Sequence, residues 1–122
     1  MNQEYILCLG SNLEPAYERV SSGLDALSEY VTLVESSGIF PSYSPEGEYE
    51  NCVVRVCCGL SVVDLVALTK GIERTAGRTA EDSARGIVAL DIDVVMHGTE
   101  VLRPADYATP YFRKGYDLLT TL

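Results

Sequence analysis

Basic side chains are scarce: nine Lys and Arg stand against eighteen Asp and Glu, a formal charge of −9 over 122 residues. A field of that sign repels polyanions, so nucleic acid and anionic membranes are poor partners for the general surface. A phosphorylated small molecule would have to be held by a local cluster of arginine and metal. An RNA-reading sheet is disfavoured further, because its stacking aromatics and basic residues are missing from 5–9 beyond Tyr5 itself, and from 49–58 apart from Tyr49 and Arg55. Histidine occurs once, as His97 before Gly98 at an expected strand end, which leaves no second imidazole for a metal cluster. The four cysteines, Cys8, Cys52, Cys57 and Cys58, form no C-x-x-C pair, so neither a zinc knuckle nor a redox motif is signalled. They read as small buried hydrophobes. No run approaches the roughly 20 apolar residues that span a bilayer. The chain starts on polar Asn2-Gln3-Glu4 rather than a basic segment, so a cytoplasmic protein without membrane attachment is expected.

What is present suffices for one domain over 1–122 with a single two-layer core, 47% of the residues being hydrophobic. Tyr5 to Leu9 is apolar on both faces and predicts a central strand, ended by Gly10-Ser11-Asn12. Pro15 and the recurrence of Tyr17, Val20, Leu24 and Leu27 predict a helix over 14–29. Residues 31–34 and 37–40 read as a second strand ended by Pro41, and 42–47 as a turn-rich loop. Tyr49 to Cys58 alternates as a third strand. Ser61 to Asp64 carries a helix-capping signature, and Val62, Leu65, Leu68 and Ile72 extend a second helix towards Gly77. Residues 78–87 are polar without periodicity and read as a loop. A strand over 90–96 turns at His97-Gly98-Thr99 and is expected to pair back through 100–102, after which the chain beyond Pro104 is loop-like. The order strand, helix, strand, strand, helix, strand predicts the ferredoxin-like α+β arrangement, an antiparallel sheet with both helices on one face and the other face open for a ligand. That fold hosts many functions and decides none.

The chemistry is concentrated in Leu90-Asp91-Ile92-Asp93-Val94-Val95-Met96. Strand alternation puts Asp91 and Asp93 on one side, about 6 to 7 Å apart, with Leu90, Ile92 and Val94 on the other. Two like charges so close oppose each other's ionisation unless a cation lies between them, and carboxylate oxygens suit Mg²⁺. Arg78 and Arg85 stand upstream in a Gly-punctuated stretch. A cation-bearing loop beside paired carboxylates is what phosphoryl-transfer sites assemble.

Four motifs in register resemble the 6-hydroxymethyl-7,8-dihydropterin pyrophosphokinase family: Leu9-Gly10-Ser11-Asn12, Tyr49-Glu50-Asn51, Ile72-Glu73 with Gly77-Arg78, and Leu90-Asp91-Ile92-Asp93 followed by Gly98. The resemblance covers roughly residues 4 to 118. It implies transfer of pyrophosphate from ATP to a 6-hydroxymethyl-dihydropterin in folate biosynthesis, with Asp91 and Asp93 holding two Mg²⁺ ions on the ATP phosphates. It also implies Arg78 at the phosphates, Glu73 at the nucleotide, Asn51 and Ser42 at the pterin, and Tyr49 and Tyr116 as the aromatics that sandwich the ring; Arg85, outside the family pattern, could swing in at the nucleotide phosphates to replace the arginine missing at Val88. Departures from the family pattern fall at Val88 and Ala80, where loop arginines are replaced, at Arg85 in place of a tryptophan, and at Tyr111 in place of a histidine. These departures keep open a catalytically impaired homologue that binds a pterin, a nucleotide or a partner protein, and, beyond it, an oligomerising structural module.

Overall fold

The computed structural model, which describes residues 2–45 and 47–122, is built on strand β1 (Gln3–Ser11), buried from Tyr5 to its end. After it come α1 (Ala16–Ser28), β2 (Thr32–Ser36), β3 (Phe40–Ser44), β4 (Gly47–Cys58), α2 (Val62–Thr75) and the short α3 (Ala80–Ala84). The chain then forms β5 (Asp91–His97), β6 (Glu100–Val101), α4 (Pro104–Tyr107), α5 (Pro110–Asp117) and β7 (Thr120–Thr121). The sheet order is β6-β5-β1-β4-β2-β7 with β3 also on β4, and the pairings are antiparallel. This is the ferredoxin-like α+β arrangement that the sequence predicts. Among the described residues no helix is long and apolar enough to cross a membrane.

Alternation along the strands separates two apolar layers. Tyr5, Leu7, Leu9, Val54, Val56, Ile92 and Val94 pack against Val20 and Leu27 of α1 and Leu65 and Ile72 of α2. Ile6, Cys8, Val53, Val95 and Met96 face the other way and close on Phe112 of α5. Met96 leaves the alternation because the β1–β5 register shifts between Ile6 and Leu7. Helix α2 starts as its signature predicts, with the Ser61 hydroxyl accepting from the Asp64 N–H at 3.2 Å.

Several expectations are corrected. In α1 the buried face is Ala16, Val20, Gly23 and Leu27, and Tyr17 is 55% exposed. Ala and Gly weigh little in an apolar pattern, so the bulky residues misplaced the stripe by one position. The second strand is two strands. The chain breaks at Ser37-Gly38, so that β2 pairs with the C-terminal half of β4 and β3 with its N-terminal half. Ser37 bridges the break, its N–H donating to Val53 O at 2.9 Å and its hydroxyl accepting from Val53 N at 3.0 Å. Pro41 lies inside β3, where an edge strand tolerates a missing donor, so part of the expected 42–47 loop is strand. Within 78–87 the Thr79 hydroxyl caps α3. The loop-like C-terminus is α4, α5 and β7, and these helices cover half of the sheet face that was expected to be open.

Helix α5 lies so close to the sheet that a β-carbon on Gly115 would stand 2.3 Å from Val53 Cγ2. Gly115→Ala is therefore expected to lift α5 at a cost of about 1 to 3 kcal/mol. Chemical denaturation reads this directly, and unchanged stability would mean that α5 does not pack there.

Candidate active site

On the uncovered half of that face three strands meet in register. Asn51 of β4 lies opposite Gly10 of β1, and Gly10 lies opposite Asp91 of β5; the next rung is Val53, Cys8 and Asp93. Neighbouring strands are about 4.8 Å apart, so a residue without a side chain at position 10 opens a slot between the Asn51 amide and the Asp91 carboxylate. A β-carbon added there would lie 3.2 Å from Asn51 Oδ1. Gly10 thus belongs inside the strand and shapes the site, where the sequence suggested only a strand end.

The slot widens into a cavity of about 420 Å³. Ser42, Tyr49, Asn51, Arg78, Asp91 and Asp93, six of the residues singled out in the sequence, line it together. Glu73, Arg85 and Tyr116 do not. Tyr116 packs on Phe112 at 5.9 Å between ring centroids, and Arg85 is exposed at the end of α3. Cys8, Gly10, Arg103 and Asp106 also line the cavity, with Val88 and Tyr111. No spacing rule marks these residues, because Arg103 and Asp106 arrive on a C-terminal segment that reads as loop.

Asn51 is 3% exposed and its Nδ2 donates to the Ser42 hydroxyl at 2.6 Å. The β3–β4 hairpin thereby fixes the orientation of the amide. Tyr49, the register partner of Ser42, stands half-buried beside it.

At the other wall Arg78 Nη1 donates to Asp91 Oδ1 at 2.5 Å and its Nε to the Ser83 hydroxyl at 3.2 Å. Glu73 lies behind, 4% exposed, with Oε1 3.4 Å from Arg78 Nη1 and Oε2 accepting from Ile92 N at 2.7 Å. Glu73 therefore fixes the start of β5 and steadies Arg78. Arg103 Nε lies 3.6 Å from Asp93 Oδ1 and pairs with Asp106. Burial, the hydrogen bond that its protonated form donates to Asp91 and the Asp91 charge push the Asp93 carboxyl up to about 8. Burial also works against the Asp91 charge, but hydrogen bonds from the Asp93 carboxyl and from Arg78 outweigh it and hold Asp91 below its ordinary value. The two carboxyls are thus driven apart, Asp91 towards its charged form and Asp93 towards its neutral one. Burial, with the two aspartates, raises the Cys8 thiol far above its ordinary range, so Cys8 is a wall and not a nucleophile.

A second hollow of about 320 Å³ opens between α2 and β5, lined by Val62, Val66, Thr69, Lys70 and Val94. Asp93 and Arg103 line both hollows and form the partition between them. Above the slot the Asn12 side chain grips the return of the arginine-bearing segment, donating to Gly86 O at 2.6 Å and accepting from Val88 N at 2.7 Å.

Among the described residues no three His, Cys, Asp or Glu side chains converge on a metal position. The protein offers two carboxyl groups, Asp91 and Asp93, on the wall of one cavity. Hard oxygen donors so few in number fit Mg²⁺, which keeps several waters and takes phosphate oxygens to complete its shell.

The family model for 7,8-dihydro-6-hydroxymethylpterin-pyrophosphokinase matches residues 6–114 of this chain, far more than half of it, and the chain belongs to that family.

Proposed function

We propose that this chain is a Mg²⁺-dependent transferase that moves pyrophosphate from ATP to the hydroxymethyl group of a dihydropterin in folate biosynthesis. The observation that carries this reading is the pair of hollows that share Asp93 and Arg103 as their common wall. A reaction between two bound molecules needs such a junction, because holding both reactants replaces a bimolecular encounter by an intramolecular one.

The slot beside Asn51 suits a flat heterocycle. Its amide can both donate and accept, and Tyr49 offers a ring face. The hollow between α2 and β5 suits the nucleotide, with apolar walls for a base and Lys70 and Arg103 at its polar end. Asp91 and Asp93 would hold Mg²⁺ on the phosphates, where the ion neutralises charge that builds up on the transferred group. Asp93 must give up its proton for this. Arg78 donates to Asp91 in the free protein and would be free to turn to a phosphate oxygen if a cation took that carboxylate. Arg103 is placed to neutralise the same group from the partition.

Product analysis tests the reading. With MgATP and the pterin alcohol, ³¹P NMR is expected to show AMP and a pyrophosphorylated pterin; ADP with inorganic phosphate, or no pterin-dependent turnover, would contradict it. Pterin binding, followed by fluorescence, is expected to weaken roughly 5- to 150-fold in Asn51→Ala, the range for leaving a buried hydrogen-bonding group unpaired. Gly10→Val, which fills the slot, is expected to abolish it. Binding unaltered in both variants would remove the pterin from this slot.

A further inference from the structure

Each strand carboxylate faces an arginine, and each arginine has a further partner of its own. Arg78, on Asp91, also donates to Ser83 at 3.2 Å and stands 3.4 Å from Glu73. Arg103, on Asp93, is also held by Asp106. The two walls differ in one respect. Glu73 is buried behind its arginine, whereas Asp106 lines the cavity itself, its side chain 22% exposed. A carboxylate on the wall of a phosphate site repels the ligand. The reaction above gives Asp106 nothing to do that would offset this.

Both side chains stand on anchored backbone. The Leu102 and Arg103 N–H groups donate to Val95 O at 2.8 and 3.4 Å. Asp106 O accepts from the Thr109 N–H at 3.1 Å and from its hydroxyl at 2.7 Å. Tyr107 packs on the buried Phe112 ring, 5.7 Å between centroids. Asp106 therefore reaches Arg103 across one turn of α4, at the i, i+3 spacing. Both contacts of Arg103 are made by Nε, to Asp106 and to Asp93. A guanidinium has five N–H donors, so four, on the two Nη atoms, remain for a ligand. The Arg103 side chain is 51% exposed, and without a tether so long a chain spreads over many rotamers in water.

We propose that Asp106 is the positioning residue for Arg103: it holds Nε when a cation takes Asp93, and so keeps the guanidinium at the junction of the two hollows with its Nη donors available to phosphate oxygen. Of the two carboxylates on Nε, Asp93 is the one that the metal withdraws and Asp106 the one that stays. The negative charge of Asp106 is offset by the arginine it holds. The kinetic consequence rests on the proposed pyrophosphoryl transfer; the tether itself does not.

A double-mutant cycle tests this. With MgATP and the pterin alcohol, Arg103→Gln is expected to lower kcat for AMP formation about 100-fold and Asp106→Ala about tenfold, the scale of a charge-assisted contact and of its partial misalignment. In the Arg103→Gln background Asp106→Ala is expected to change nothing further, because a residue that acts only through Arg103 has no effect once Arg103 is gone. Asp106→Asn keeps an acceptor for Nε without the charge and should fall between wild type and Asp106→Ala. The Mg²⁺ concentration that half-saturates the rate should be the same in Asp106→Ala as in wild type, and so should pterin binding and circular dichroism. A second readout needs no turnover: with Mg²⁺ and α,β-methylene-ATP, the Arg103 Nε–H signal in ¹H–¹⁵N spectra is expected to be resolved in wild type and lost to solvent exchange in Asp106→Ala. Losses that multiply in the double variant, faster turnover in Asp106→Ala, a raised Mg²⁺ requirement that would make Asp106 a metal ligand, or an Nε–H signal indifferent to Asp106 would each overturn the proposal. A wild type that forms no AMP would refute the transfer reaction, and the spectra would still decide the tether.

Discussion

Replacement of Asp91 and Asp93 together by asparagine is expected to lower AMP formation by at least about a thousandfold, because in the proposed reaction the charge developing on the transferred group would be offset chiefly by the Mg²⁺ that these carboxylates would hold. Circular dichroism should remain unchanged, since both side chains face the cavity and the apolar layers do not depend on them. The same site gives a second, opposite effect on stability. Asp93 titrates at about 8 in the folded chain because burial and Asp91 disfavour its charge. Its folded value lies above the unfolded one. The stability it contributes is therefore full below pH 4 and lost as pH rises through 8. An amide at 93 needs no proton and can still donate to Asp91, so Asp93→Asn alone is expected to raise the melting temperature of the metal-free chain at pH 9, by roughly 3 to 6 °C for about 1 kcal/mol. At pH 5 little change is expected. Asp91 acts in the other direction, its lowered value contributing stability that is lost as pH falls through it. Equal melting of wild type and Asp93→Asn at pH 9 would mean that burial and Asp91 do not disfavour the Asp93 charge.

Val88→Arg is expected to raise kcat by about 10- to 100-fold, the scale of one or two charge-assisted contacts made in a transition state. Val88 lines the cavity, and its backbone is held on both sides, N–H to Asn12 Oδ1 at 2.7 Å and carbonyl to Asn12 N at 3.1 Å and the Ser11 hydroxyl at 3.2 Å. A guanidinium built there enters the site from a fixed point. The other positive charges near the phosphates are already engaged or turned away in the free protein: Arg78 is bound to Asp91 and Ser83, Arg103 to Asp106, Lys70 to Glu73, and Arg85 stays exposed at the end of α3. Ala80→Arg, on the exposed side of α3, should add less on top of Val88→Arg. No gain in either variant would clear the missing arginines of blame. A wild type already turning over at an ordinary kinase rate of about 1 s⁻¹ or more would show that none is missing.

The strands and helices that carry the site were legible where one signal dominated. The Leu90 to Met96 run, the apolar Tyr5 to Leu9 and the Ser61 cap each admit one local structure, and each formed. The division at Ser37-Gly38 was not legible, since two short strands sharing one long partner have the same apolar pattern as a single strand. Nor was α5, although Thr109-Pro110 is a helix-start signal. Its buried face is only Phe112 and Gly115, and the packing that stabilises it comes from Val53 and Phe40, more than fifty residues away in sequence. The Asp91 and Asp93 pair and Arg78 could be read from strand alternation and loop charge. Gly10 could not, because its part in the site is the absence of a side chain between Asn51 and Asp91, which only the register of three strands reveals. Arg103 was hidden for a like reason, its place on the partition depending on how β6 and α4 return across β5.

Calorimetric binding of α,β-methylene-ATP, with and without Mg²⁺, in wild type and in the Asp91→Asn, Asp93→Asn double variant, tests the carboxylate pair most directly. Two monodentate carboxylates leave most of an octahedral shell to water and phosphate. Mg²⁺ alone is therefore expected to bind weakly, the nucleotide to bind well only with Mg²⁺, and the double variant to lose that dependence together with the affinity. Nucleotide binding that is indifferent to Mg²⁺ in the wild type, or unchanged in the double variant, would contradict the role assigned to Asp91 and Asp93.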